Sequence, residues 1–205
     1  MQSDAIRPLS ECSFDDQFEA EFVGDSLDEF CPNGVEFERC TFRSLQIAKL
    51  TAMNCSFIDC IFEDCGLALS NWTGASLRGC VFRGCKLTGA NWSGAKWNAF
   101  SSASPLIFEE CDLSHAMFAQ IRIVKTVFRS CKLIDVDFSD GDLTSVEFDA
   151  CELERANFSR ASLSKADLRT VIGYSIDPTS TILQGARFSK HNLEGLVTTF
   201  GLKLE

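Results

Sequence analysis

Eleven Cys, two His and twenty-nine Asp and Glu are the side chains of this 205-residue sequence that could ligate a metal or move a proton. Thiols with imidazoles could hold zinc or form a nucleophile–base pair, and paired carboxylates could do acid–base work. The spacing suits none of these. Zinc sites want close Cys pairs with a distant second pair, whereas Cys55, Cys60, Cys65, Cys80 and Cys85 lie five residues, or a multiple of five, apart. His115 and His191 have no Ser or Cys nucleophile pattern beside them, and no glycine-rich phosphate loop is present. The residues point away from an enzyme and imply neither cofactor nor metal.

The same spacing of five organises the whole chain. From Phe37 to Trp97 an apolar residue or Ala stands at every fifth position, thirteen times without a gap. A second run of thirteen begins at Phe108 and ends at Leu168. Period five fits neither a helix nor an extended strand. Two inward residues per five, with one outward residue between them, describe a short side that turns a corner. Four sides close a square coil of twenty, and like residues then recur at twenty. Phe42, Phe62 and Phe82 do so, as do Phe118, Phe138 and Phe158, with Trp72 above Trp92. This predicts an all-β, quadrilateral parallel β-helix with a short C-terminal helix. Nine of the eleven Cys fall in the small inward slot two residues before a central residue. There they read as buried, reduced thiols acting as small apolar groups. Cys12 and Cys31 lie outside the pattern.

Three segments break the repeat. Residues 1–34 form an acidic cap and an irregular first coil, with Pro32 where a central residue should stand. Residues 35–97 and 108–188 are regular. Between them, residues 98–107 hold one residue more than the period of five allows, which predicts a bulge or loop. Its candidate partner-binding residues are Asn98, Phe100, Ser101, Ser102, Ser104 and Pro105, because loops on rigid scaffolds often carry function. In residues 189–205, Ser189 can cap a helix over Lys190–Phe200 that Gly201 stops. Leu193, Leu196, Val197 and Phe200 share one face of that helix. With Leu202 in a following short strand they form the expected dimer interface.

Net charge is −10, which argues against direct binding to nucleic acid or to an anionic membrane. No stretch has the length of a membrane helix or a signal-peptide core, so the chain reads as cytoplasmic. Acids cluster twice. Residues 1–30 hold nine against one Arg. Residues 134–154 hold Asp135, Asp137, Asp140, Asp142, Glu147, Asp149, Glu152 and Glu154 with no Lys or Arg. The second cluster belts about one coil. An acidic rod of roughly the 20 Å girth of duplex DNA could enter a basic DNA-binding saddle.

The segment Ala156–Leu168, ANFSRASLSKADL, resembles the consensus of pentapeptide-repeat proteins. The resemblance covers Phe37 to Leu168 and, more loosely, Phe22 to Leu193. It implies a right-handed four-sided β-helix. Cys85–Trp97, the loop at Asn98–Ile107 and the tail Leu183–Leu204 resemble the topoisomerase-protecting subgroup, which includes Qnr-type quinolone-resistance and albicidin- and microcin-immunity proteins. That likeness implies a homodimer joined through its tails. It implies a DNA-like acidic surface that binds bacterial type II topoisomerase, DNA gyrase, and protects it from an inhibitor. The single loop leans toward the albicidin-like branch. The rival expectation is a non-catalytic scaffold with another protein partner.

Overall fold

The computed structural model describes residues 6–11, 15–97 and 105–202. Each group of five makes one side of a square, and the chain winds as a parallel β-solenoid of about eight turns. Four faces run the length of the rod. The first is a continuous parallel sheet of ten short strands. It carries Glu21–Val23, Thr41–Arg43, Ile61–Glu63, Val81–Arg83, Ile107–Glu109, Val127–Arg129 and Glu147–Asp149 in register. The second and third faces are held mainly by single bridges, such as Lys86 with Asp112 and Asn71 with Asn91. The fourth begins as a five-stranded sheet from Gln17–Phe18 to Lys96–Trp97.

The corners explain why five residues suffice for a side. At most corners among the described residues, the residue two after the central position lies in the left-handed region, from Arg39 and Asp64 to Arg160 and Lys165. That conformation is unfavourable for side-chain-bearing residues by roughly 1–2 kcal/mol. It is tolerated here because each turn of the coil is hydrogen-bonded to the turns above and below, as in Asp135 N–H to Glu154 O at 2.9 Å.

The interior is a stack of rings. On the first face Phe42, Phe62, Phe82, Phe108 and Phe128 lie nearly parallel, with successive centroids 4.5–5.1 Å apart. From the opposite third face Trp72, Trp92, Phe118, Phe138 and Phe158 stack likewise, and the two columns meet edge to face, as Phe62 does with Trp72 at 87°. Both arrangements suit ring quadrupoles. No hydroxyl would find a partner in such a stack, which explains eighteen Phe against a single Tyr.

The register corrects the reading of the break after Trp97. Val81, Phe82 and Arg83 pair with Ile107, Phe108 and Glu109. That step is twenty-six residues instead of twenty, so the excess is six residues and not one. Counting by fives fixes an insertion only to within a multiple of five; closure of the coil fixes the rest. The thiols follow. With a step of twenty-six, Cys65, Cys85, Cys111, Cys131 and Cys151 fall in one unbroken column. All are buried and free, and each donates to a carbonyl in the turn below, as Cys111 Sγ does to Phe82 O at 3.4 Å. Burial pushes the Cys55 thiol up. At the N-terminal end the register already holds from Gln17, which is buried and stacks against Phe37. Pro32, where irregularity was expected, is also buried in its central slot. Leu9 closes the end of the core.

Candidate functional site

The acid cluster of residues 135–154 occupies one full turn, because its eight members alternate with the inward Phe138, Leu143, Phe148 and Leu153. Asp135 sits on the corner between second and third faces, Asp137 on the third, Asp140 on the next corner and Asp142 on the fourth. Glu147 and Asp149 are on the first face, Glu152 and Glu154 on the second. The cluster is therefore a ring across the rod, not a stripe along it.

Neighbouring turns answer part of its charge. Arg155 bonds Asp135 at 2.6 Å through two nitrogens, and Arg160 does the same to Asp140 at 2.6 and 2.7 Å. Arg122 reaches Asp142 at 3.1 Å. The Arg155 and Arg160 guanidiniums hold the Asp135 and Asp140 carboxyls below their usual range. Asp137 accepts from Asn157 and from the Ser139 backbone N–H, both at 3.0 Å. Asp149 accepts from the Thr170 hydroxyl at 3.0 Å. Glu154 lies over Gly173, where any Cβ would stand 2.4 Å from its carboxylate.

Of the expected loop, Asn98, Phe100, Ser101, Ser102 and Ser104 lie outside the described residues. Pro105 is exposed.

The tail differs from its sequence reading. The α-helix is one turn, α1 at Glu194–Val197, followed by a 3-10 turn at Thr198–Phe200. Ser189 does not cap it. Its hydroxyl accepts from the His191 N–H at 3.3 Å in a preceding turn, and α1 starts after Leu193 with no side-chain cap. Gly201 ends the segment in the left-handed conformation, as expected. The four apolar residues then part company. Leu196 packs on the core, and Val197 is half-buried. Leu193, Phe200 and Leu202 are 42%, 55% and 55% exposed. Leu204 lies outside the described residues.

What fixes the tail was missed in the sequence. The lone Tyr174 donates its hydroxyl to Asn192 O, and the Asn192 amide donates to Val171 O at 2.8 Å. Gly195 lies against Tyr174, where a Cβ would come within 2.1 Å of its carbonyl oxygen. The one signal available was the isolated Tyr in a chain of Phe. Among the described residues no group of His, Cys, Asp and Glu is arranged to hold a metal, and no helix is long and apolar enough to cross a membrane.

Two family descriptions match the sequence: pentapeptide repeats in eight copies over residues 60–96, and a pentapeptide repeat region over residues 104–172. No curated protein matches it. Among solved structures it is similar to two trypsin-treated variants of QnrB1, described as a plasmid-mediated fluoroquinolone resistance protein. The first superposes with a TM-score of 0.71 at 18% identity over 94% of this chain and 92% of that one. The second gives 0.63 at 18% identity over 93% and 100%. The coil of twenty, the ring stacks and both family matches agree: this chain belongs to the pentapeptide-repeat family.

Proposed function

We propose that this protein binds bacterial type II topoisomerase, DNA gyrase, as an acidic rod in place of duplex DNA, and so protects it from an antibiotic that traps cleaved DNA. The observation that carries the reading is the end-to-end likeness of its rod to a fluoroquinolone resistance protein, joined to a net charge of −10. The acidic ring at Asp135–Glu154 and the residues between Trp97 and Phe108 are the proposed contacts. The exposed Leu193, Phe200 and Leu202, with Leu196 and Val197 beneath them, are the proposed homodimer face. The chain acts by binding and not by catalysis. The antibiotic class, albicidin-like or quinolone-like, follows from which poison it counters.

The second reading is a non-catalytic scaffold for another protein partner. One observation favours it: Asp135, Asp140 and Asp142 are already ion-paired within the chain, which reduces the free negative charge of the ring. Displacement separates the two. Labelled duplex bound to gyrase is titrated with the protein at physiological salt. Release of the duplex supports the first reading; undisturbed duplex supports the scaffold.

A further inference from the structure

The first face differs from the others in both of its outward rows. The row just after the central residue alternates in sign along the rod: Arg43, Glu63, Arg83, Glu109, Arg129, Asp149, Arg169. Arg43–Glu63, Arg83–Glu109 and Arg129–Glu109 are each 2.8 Å. The row just before the central residue is apolar over four successive strands, with Ile61, Val81 and Ile107 half-buried and Val127 8% exposed. At the same outward position the fourth face carries Ser56, Ser76, Lys96 and Arg122, and the second carries Lys86, Asp112 and Lys132. An intrachain ion ladder accounts for the alternation. It does not account for the apolar row beside it.

We propose that the first face is a lateral contact on which a second copy of this chain packs antiparallel. The two-fold axis would lie along the strands, between Val81–Arg83 and Ile107–Glu109. Such an axis reverses the rod and keeps the order of residues along each strand, so each row opposes itself. Val81 then faces Ile107 of the second copy, and Ile61 faces its Val127. Arg83 faces Glu109, Glu63 faces Arg129 and Arg43 faces Asp149. Every charge in these pairs meets its opposite, and the apolar row is centred on the axis. A row of one sign, or an apolar row displaced along the rod, would not be self-complementary. Three strand steps of about 4.8 Å make the apolar row roughly 14 Å long. That is a small contact by the standard of stable interfaces, so the pairing is reversible and depends on concentration. It requires neither the topoisomerase reading nor the tail contact.

Site-directed disulfides test it. Ile61→Cys and Val127→Cys are made separately in a Cys12→Ser, Cys31→Ser background. Within one chain these positions are three strands apart, roughly 14 Å, twice the reach of a disulfide. Diamide is the oxidant: two thiols give up two electrons and two protons, the S–S bond forms, and diamide becomes the hydrazine. The mixture of the two variants is expected to yield cross-linked dimer several-fold above either variant alone. Equal yields overturn the proposal. Sedimentation velocity in a Phe200→Asp, Leu202→Asp background, which removes the exposed apolar residues of the tail, supplies a second readout: there Val81→Lys is expected to abolish a concentration-dependent rise in mass while the melting curve stays unchanged. Persistence of that rise in Val81→Lys also overturns it.

Discussion

Trp72 and Trp92 stack with centroids 4.8 Å apart, yet only one has its indole N–H satisfied. Trp72 donates to the buried Ser70 hydroxyl at 2.8 Å. Trp92 has Ala90 in the equivalent slot, and its buried N–H has no partner. Ala90→Ser should therefore stabilise the protein by about 1 kcal/mol, measured by urea unfolding; destabilisation would show that the slot above Ser70 has closed. Phe128→Ala removes one ring from the middle of a stack and should cost about 3–5 kcal/mol in the same assay. Gly195→Ala belongs to the tail. Its Cβ would meet Tyr174, so it should release α1 from the shaft and raise amide exchange at Asn192–Val197, with the coils left protected.

At the scale of elements, the six-residue excess makes a sharp prediction. Deleting residues 98–103 joins Trp97 to Ser104 and restores a coil of twenty, with Leu106 and Phe108 already in inward positions. The variant should keep its circular dichroism spectrum and melting temperature and lose protection of gyrase. Loss of folding would mean that the excess is structural. Much of this architecture was legible in the sequence, because period five and the columns at twenty are direct consequences of a square coil. The size of the insertion was not legible by counting fives, although the column Phe82–Phe108 and the five-thiol stack record it. The tail was misread for a different reason. A helical pattern at Leu193, Leu196, Val197 and Phe200 says nothing of Tyr174, whose hydroxyl bonds Asn192 O while the Ile176 N–H bonds Gly195 O at 2.8 Å, holding the segment so that it makes one α-turn. The acid cluster was legible as a belt, but its Arg partners come from turns twenty residues away, outside the window in which the charge was counted.

For the whole molecule, ion pairs between turns link stability to pH. The Asp135 and Asp140 carboxyls are held below their ordinary range by Arg155 and Arg160. A carboxylate with a depressed folded-state pKa contributes stability above its unfolded value, near 3.9, and loses it as pH falls through the folded value. The protein should thus be insensitive to pH in the neutral range and unfold in acid. Arg155→Gln with Arg160→Gln should move the acid midpoint to higher pH by fluorescence, and an unmoved midpoint would show that these exposed pairs contribute nothing. The same rod, stiffened by its ring stacks and negative overall, is what the topoisomerase reading needs. The most direct test is gyrase supercoiling of relaxed plasmid under a fluoroquinolone or albicidin, with rising amounts of this protein. The account predicts that supercoiled product returns as the protein is added and that cleaved plasmid falls in step. Supercoiling that stays inhibited at every protein concentration, with both poisons, would contradict it.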